Sequence, residues 1–310
     1  MSWGKTVSPA TVKEGESESY GLDYYRNLFS KPRQVRSPVR AALVGRENTA
    51  KTGLALDLAR TEEDIKDGKK VIIIDCDKSA METVSHVVED PENILIYSMD
   101  DASDDSIFKS DGVTIDYRAL IEKTGYFANI IAEQVAEDKD SYAAIIFDGA
   151  SSFMKWCEYA MTDVLLKRGV IKEEGDRFNQ AEWRTRNQLF RDTLNRFHTI
   201  DIDKVFFTFH RKDVQQYVDG GLMKIGEKVD WVEGTQRIMS QQIFLQRFTK
   251  KGDRAAGVEK DLSLEDNDFV IRATIEEIKG RGMEHIGKTV EILKVSDSKV
   301  TWNGIPELRW

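Results

Sequence analysis

Apolar residues in this chain form short continuous runs, at residues 39–44, 71–74, 143–147 and 205–209, separated by longer segments. A continuous run indicates a strand that is buried on both faces, which is typical of a parallel sheet covered by helices. Residues 115–137, 153–166 and 183–197 have helical spacing and predict helices. We therefore expect an α/β fold with a mostly parallel central sheet flanked by helices.

The C-terminal part of the chain has a different pattern. Runs at 243–245, 269–275, 289–293 and 299–302 predict antiparallel strands. Residues 215–234 contain several glycines and little core-forming pattern, so they predict a long loop of functional importance. We expect a flexible segment at 1–38, with a short amphipathic stretch, followed by one domain at 39–310. The amphipathic stretch packs either on this sheet or on a neighbouring subunit.

The link between the first strand and the first helix carries the strongest candidate for chemistry. It consists of Gly45, Arg46, Glu47, Asn48, Thr49, Ala50, Lys51 and Thr52. A strand, a glycine-led loop and Lys-Thr at a helix start form the context of a phosphate-binding P-loop. Backbone N–H groups would cradle phosphates, Lys51 would contact the β- and γ-phosphates, and Thr52 would ligate Mg²⁺.

One position of this loop departs from the usual pattern, because Ala50 stands where the last glycine belongs. A methyl group is tolerable there if φ is negative, although it could crowd the phosphates. The alternative interpretation is a Lys-Thr helix start that follows a glycine by chance. Lys51 is expected to be exposed, so that it contributes to ligand binding rather than to the core.

Polar residues follow three of the later strands, with Asp75 and Asp77 after one, Asp148 after the next, and His210 after the last. Ligands of open α/β sheets bind outside the carboxyl ends of the strands, so these side chains are expected to meet at one nucleotide. Asp148 would orient a Mg²⁺-bound water or only cap the next segment. Asp75 would assist Asp77 or only form a turn. The combination indicates a nucleoside triphosphatase.

These motifs together resemble the RecA-like P-loop ATPases of the recombinase type. Within that family they are most similar in style to the compact enzymes of phages and archaeal viruses. The resemblance covers about residues 39–305 in the family's order, including Glu47 at the third P-loop position. It implies that Asp77, in place of a glutamate, is the base that activates water. It also implies that His210, in place of a glutamine, senses the γ-phosphate.

The resemblance gives a role to a late basic pair, Lys279 and Arg281, which would reach the ATP of a neighbouring subunit. A solvated turn is the alternative for this pair. The family's function implies an ATPase that requires Mg²⁺, assembles as a ring or filament, and binds single-stranded DNA through the loops after Asp148 and His210. Recombination, repair or replication would be its setting. The alternatives are a regulatory or packaging-type motor that does not act through DNA, and a nucleotide-binding module with little turnover.

Composition narrows these expectations only slightly. The chain is 40% hydrophobic and 32% charged, as globular proteins are. A net charge of −9 excludes a uniformly basic surface but permits local basic stripes. Cys76 and Cys157 lie in apolar segments and are expected to be buried free thiols. Without a signal peptide or an apolar run near 18 residues, we expect a cytoplasmic protein without a membrane partner, in the host cell if viral.

Overall fold

A computed structural model describes residues 38–88, 91–101, 103–173, 178–218, 221–279 and 282–309. The N-terminal segment that the sequence predicts, except for its last residue, lies outside the described residues, and so does Arg281. The remaining candidate site residues are all described.

The strands are β1 (Val39–Gly45), β2 (Lys70–Asp75), β3 (Ile94–Ser98), β4 (Tyr142–Asp148), β5 (Lys204–Val218), β6 (Gly221–Val229), β7 (Gln241–Thr249), β8 (Glu259–Lys260), β9 (Phe269–Ile278), β10 (Thr289–Ser296) and β11 (Lys299–Trp302). The helices are α1 (Lys51–Ala59), α2 (Glu62–Lys66), α3 (Ala80–Val87), α4 (Tyr117–Glu137), α5 (Ala150–Lys167) and α6 (Gln180–His198). Among the described residues, no helix combines the length and the apolar composition that crossing a membrane requires.

One large sheet organises these elements, in the strand order β11-β10-β9-β7-β1-β5-β4-β2-β3. The six strands from β7 to β3 in this order are parallel to their neighbours. Strands β9, β10 and β11 are antiparallel and extend the sheet. The predicted fold class is therefore confirmed. One detail differs: β7 was expected among the antiparallel strands, but it is parallel to β1 and antiparallel only to β9.

The core lies on both faces of the sheet, as the continuous apolar runs predict. In β1, Ala42 and Val44 belong to a cluster with apolar residues of α4, α5 and α6. Their neighbours Ala41 and Leu43 belong to a second cluster, with apolar residues of α1 and of β7. Alternate residues of a strand point to opposite faces, so a strand covered on both sides has apolar residues at every position. Cys76 and Cys157 are buried and free, as expected.

The segment that follows His210 is not a loop. Strand β5 continues to Val218, and β6 returns beside it with Asp213 opposite Glu227 and Tyr217 opposite Leu222. The β5–β6 hairpin is joined by backbone hydrogen bonds between its own two strands, a pairing that does not require a core-forming pattern. The loop expected after Asp148 is also missing, because only Gly149 separates β4 from α5.

Candidate active site

The P-loop begins at Gly45, where β1 ends, and only glycine fits at this position. A Cβ atom there would lie 2.4 Å from Oγ1 of Thr49 and 2.8 Å from the carbonyl oxygen of Leu245. The Thr49 hydroxyl donates to the Arg46 carbonyl at 2.8 Å, which closes the loop on itself. The loop thus returns tightly over the end of the strand before α1 begins.

Ala50 adopts the left-handed conformation, with φ 58° and ψ 31°. The condition under which a methyl group is easily tolerated there, a negative φ, is therefore not met. Asn48, with φ 56°, is left-handed as well. For an alanine this conformation costs about 1–2 kcal/mol, because Cβ crowds the following carbonyl oxygen. The loop has the backbone geometry that favours glycine at position 50, and the surrounding structure maintains it in spite of the methyl group.

Lys51 is buried, with only 8% of its surface exposed, so the expectation of an exposed lysine was wrong. Its Nζ donates to the Arg46 carbonyl at 2.8 Å, which places the ammonium group under the loop. Burial lowers the pKa of Lys51, while the nearby charges of Asp148, Asp77 and Glu47 act in the opposite direction. A cation held inside the loop among carboxylates is positioned to neutralise phosphate oxygens.

Asp148 is surrounded by hydroxyl groups at the end of β4. Its Oδ1 accepts from Thr208 at 2.6 Å, and its Oδ2 accepts from Thr52 at 2.8 Å and from Ser79 at 3.3 Å. Burial raises the pKa of Asp148, against the effect of the hydrogen bonds from Thr208 and Thr52. A cation that binds beside this buried carboxylate would favour its ionised form.

Thr52 and Asp148 fit the magnesium pair that the sequence predicts, because hydroxyl and carboxylate oxygens are the ligands Mg²⁺ prefers. Among the described residues, no group of three or more His, Cys, Asp or Glu side chains is arranged to hold a metal ion. In nucleotide enzymes, few protein oxygens hold Mg²⁺, together with phosphate oxygens and water.

Asp77 lies next to His210. Nε2 of His210 is 3.2 Å from Asp77 Oδ2, and the Ser152 hydroxyl donates to Asp77 Oδ1. Burial tends to raise the pKa of Asp77, but the hydrogen bonds from His210 and Ser152, together with the charges of His210 and Lys51, lower it below its ordinary value. Gly149 makes room for this carboxylate: a Cβ at Gly149 would lie 2.6 Å from Asp77 Cγ.

Asp75 takes the turn role that the sequence left open. Its carboxylate accepts from the backbone N–H groups of Asp77 at 3.0 Å and Ala80 at 3.1 Å. These bonds shape the turn that carries Asp77 and leads into α3. Burial raises the pKa of Asp75, against the effect of these backbone donors.

Lys279 does not join the site within its own chain. It follows β9, whose residue Ile278 pairs with Gln241, and Gln241 pairs with Ala41 of β1. Gly45 lies about 13 Å farther along β1, at ~3.3 Å per residue. The Lys279 ammonium group donates to the carbonyl of Met239 at 2.8 Å and lies 3.3 Å from Glu277 Oε1. It is therefore at the end of the sheet opposite its own P-loop.

A cavity of about 350 Å³ opens beside the P-loop. It is lined by residues 46–49 of the loop, by His210 and Arg211 of β5, by Arg247 of β7 and by residues 255–258. Arg46 links the loop to the β5–β6 hairpin, since it forms ion pairs with Asp213 and, at 2.6 Å, with Glu227. The sequence assigned Arg46 only to phosphate binding and did not predict these contacts.

The sequence also did not predict the hydroxyl groups that hold the two carboxylates in place, those of Thr208, Ser79 and Ser152. For Thr208 a signal was present, because residues two apart in a strand share a face and Thr208 lies two before His210. Thr208 is fully buried, and its hydroxyl also accepts from the Gly149 N–H at 2.7 Å. The two serines could not be predicted in the same way, because they lie on segments distant in sequence from the carboxylates they bind.

Comparison with known proteins agrees with this geometry. Residues 37–243 match the model of the AAA_24 family, described as an AAA domain. Among solved structures, the chain is similar to the KaiC-like protein of the hyperthermophilic archaeon Pyrococcus horikoshii OT3, with a TM-score of 0.43 and 13% identity over 88% of this chain and 100% of that chain. Likeness at this level carries no information on function. None of the curated proteins matches the chain.

The family match covers two thirds of the sequence and contains the P-loop, Asp77, Asp148 and His210. It therefore coincides with the buried strands whose ends form the site. The chain belongs to the AAA_24 family of AAA domains and is a nucleotide-binding P-loop ATPase.

Proposed function

We propose that this ATPase acts on single-stranded DNA in recombination, repair or replication, and that ATP binding controls its hold on DNA. The single observation that supports the proposal is the β5–β6 hairpin, whose first strand is the continuation of the β5 segment that contains His210. The resemblance to compact phage and archaeal-virus enzymes is the reason to place it in a virus.

The site residues provide the chemistry of ATP hydrolysis. The P-loop N–H groups and the Lys51 ammonium bind the phosphates. Thr52 and Asp148 hold Mg²⁺, which neutralises phosphate charge when it is bound. Thr208 and Ser79 keep the Asp148 carboxylate turned toward Thr52. Asp77 and His210 form the pair that orients the attacking water and accepts its proton, at the strand ends next to the loop.

The hairpin has the composition of a surface that binds single strands. The Tyr217 side chain is 70% exposed, as an aromatic platform for a base would be. Lys212 pairs directly with Lys228 across the two strands. Asp230 balances the charge of Lys212. Lys228 is exposed, so it is the lysine of this pair that a phosphate would contact. Stacking together with phosphate contacts is the usual mode of single-strand binding.

Arg46 is the physical link between the nucleotide and this hairpin. Its guanidinium group lies in the P-loop and binds Asp213 of β5 and Glu227 of β6, and Lys224 binds the same two carboxylates. A phosphate in the loop competes for the positive charge of Arg46. Nucleotide binding and hairpin position are therefore coupled through one side chain.

The test is an ATPase assay with and without single-stranded DNA, together with the anisotropy of a labelled oligonucleotide. We expect DNA to stimulate turnover, and an ATP analogue to tighten a strongly salt-dependent affinity for DNA. Lys51→Ala should lose nucleotide binding and, with it, the effect of the analogue. Tyr217→Ala should weaken DNA affinity about five- to fiftyfold. Tyr126→Ala, which changes a tyrosine 64% exposed on α4, is the matched control and should have no effect.

Other outcomes would support the alternatives. Turnover without DNA affinity would favour a motor that acts on protein, and ATP binding without turnover would favour a nucleotide-binding module. Equal loss of DNA affinity in Tyr217→Ala and Tyr126→Ala would contradict the assignment to the hairpin.

We also propose that the chain acts as an oligomer in which Lys279 and Arg281 complete the ATP site of a neighbour. The position of Lys279, far from its own P-loop, is consistent with this role. Specific activity should then rise with protein concentration. Mixing Lys51→Ala with Arg281→Ala should restore part of the activity that each variant lacks alone. No recovery on mixing, with concentration-independent activity, would contradict the proposal.

A further inference from the structure

The Asp77 carboxylate is already occupied on both oxygens. Oδ1 accepts from Ser152, and Oδ2 contacts Nε2 of His210 at 3.2 Å. Both contacts stabilise the ionised form, and the pKa of Asp77 lies below its ordinary value in spite of burial. A carboxylate with a lowered pKa is a weak proton acceptor, because general base catalysis weakens as the base becomes less basic. Asp77 is better suited to hold another group than to take a proton.

His210 is the group that it holds. The backbone of His210 is fixed from both sides: its N–H donates to the Ser151 hydroxyl at 2.9 Å, and its carbonyl accepts from the Asp230 N–H at 2.8 Å. In the sheet it lies directly beside Gly45, the first residue of the P-loop. His210 and residues 46–49 of the P-loop line the same cavity. Among the described residues, Nδ1 of this imidazole has no hydrogen-bond partner.

We propose that His210 is the proton acceptor for the attacking water and that Asp77 is its positioning residue. This assignment rests on the proposed ATPase function and replaces Asp77 as the base that the family resemblance implies. The Asp77 carboxylate accepts a hydrogen bond from Nε2–H, which selects the tautomer with a free Nδ1. The geometry is that of a carboxylate–imidazole pair in which the carboxylate orients the base and stabilises its charged form.

The proton and electron balance is simple. The water oxygen forms a bond to the γ-phosphorus while the bond from that phosphorus to the β–γ bridging oxygen breaks. The electron pair of the broken bond stays on the bridging oxygen, which becomes part of ADP. The water proton moves to Nδ1 of His210. The imidazolium, stabilised by Asp77, later returns the proton to the released phosphate or to solvent.

Charged groups from several elements surround this imidazole. They are Asp77 after β2, Asp230 after β6, the P-loop residues Arg46, Glu47 and Lys51, Arg211 of β5 and Arg247 of β7. Turnover therefore has to be compared between variants at one fixed pH, so that these surrounding charges stay the same.

His210→Gln is the most informative variant, because glutamine can still donate a hydrogen bond to Asp77 or to a phosphate but is not a base. We expect kcat to fall about 100-fold or more, the usual contribution of a general base, with KM changed less than about threefold. Added imidazole should partly restore turnover to His210→Ala. His285→Gln, a histidine outside the site, is the control and should leave kcat unchanged.

A pair of variants completes the test. The double variant Asp77→Asn with His210→Gln should lose little more than His210→Gln alone, because the two residues act as a unit.

Retained turnover in His210→Gln, with loss in Asp77→Asn, would overturn the assignment and leave Asp77 as the base. This result would not affect the proposed ATPase function. Wild-type protein that binds ATP without turning it over would instead overturn the proposed function, and the assignment with it.

Discussion

The two halves of β5 are the most instructive comparison in this molecule. The first half, up to His210, pairs with β1 on one edge and β4 on the other, and helices cover both its faces. The second half, from Arg211 to Val218, pairs with β6, and its residues from Arg211 to Tyr217 are exposed or half-buried. One continuous strand thus has two environments, and His210 marks the point where they meet.

Burial decides how firmly each half holds its polar groups. In the first half, Thr208 is fully buried and its hydroxyl bridges Asp148 and the Gly149 N–H. A buried polar group without a partner costs about 1–3 kcal/mol, so this arrangement has little freedom. In the second half, Asp213 shares Arg46 with Glu227 near the surface. Partly solvated ion pairs contribute about 0–1 kcal/mol each, so they can exchange partners when a phosphate arrives.

The largest effect should come from Asp148→Asn, which changes the carboxylate that the buried half holds. Turnover should fall at least about 100-fold, because the oxygen that favours Mg²⁺ loses its charge. The nucleotide-free protein should nevertheless unfold at a higher temperature at pH 7. Burial raises the folded-state pKa of Asp148 above its unfolded value, so ionisation costs stability once the pH exceeds the unfolded pKa, and asparagine removes this cost.

The measurement is the unfolding midpoint of both proteins between pH 4 and 8, which is roughly the range over which carboxylates with raised pKa values ionise. ATPase rates of both proteins are compared at about pH 7. Asp140→Asn, an exposed aspartate, is the control and should change neither quantity. A lower midpoint in Asp148→Asn would mean that the hydrogen bonds from Thr208, Thr52 and Ser79 stabilise the protein more than burial of the charge destabilises it.

An intermediate effect should come from Arg46→Gln, which separates the P-loop from the exposed half of β5. The increase in DNA affinity caused by an ATP analogue should drop about tenfold, a coupling energy of ~1.4 kcal/mol. Arg254→Gln, on the nearby turn between β7 and β8, is the control. In a double-mutant cycle with Glu227→Gln, the two changes should be non-additive because they remove one shared contact. Additive effects would show that Arg46 and the hairpin act independently.

The smallest effect should come from Ala50→Gly. Glycine removes the left-handed strain of about 1–2 kcal/mol, but it also loses about 0.5–1 kcal/mol through greater freedom of the unfolded chain. We expect the unfolding midpoint to rise by up to about 2 °C, with ATP affinity equal or slightly better. Ala119→Gly, inside α4, should change the midpoint in the opposite direction because glycine destabilises a helix interior. A loss of ATP affinity in Ala50→Gly would mean that the methyl group has its own role.

The parallel core was predictable because burial on both faces leaves a direct trace in the sequence. Every position of the run 143–147 is apolar, and Asp148 ends it at the edge where ligands bind. The P-loop was predictable for a similar reason, since its glycine, lysine and threonine are needed at fixed positions along one stretch of chain. The β5–β6 hairpin was not predictable in this way, because an exposed hairpin is stabilised by backbone pairing that leaves no apolar pattern.

The prediction of an exposed Lys51 was wrong, and Ala50 does not meet the condition of a negative φ, for a related reason. Residue type favours a negative φ for alanine and exposure for lysine. The return of the loop over Gly45 imposes a positive φ on Ala50 and burial on Lys51. Local preference is weak where the path of the chain is set by contacts around it.

The sequence by itself determined which residues are available for the chemistry and which strands bury them, because local pattern records burial. Only the tertiary structure decided which of these residues meet. His210 and Asp77 are 133 residues apart, and Thr52 and Asp148 are 96 apart. Their contacts depend on the order of the strands in the sheet, which places β5 between β1 and β4. Strand order results from packing of the whole core, so no local pattern carries it.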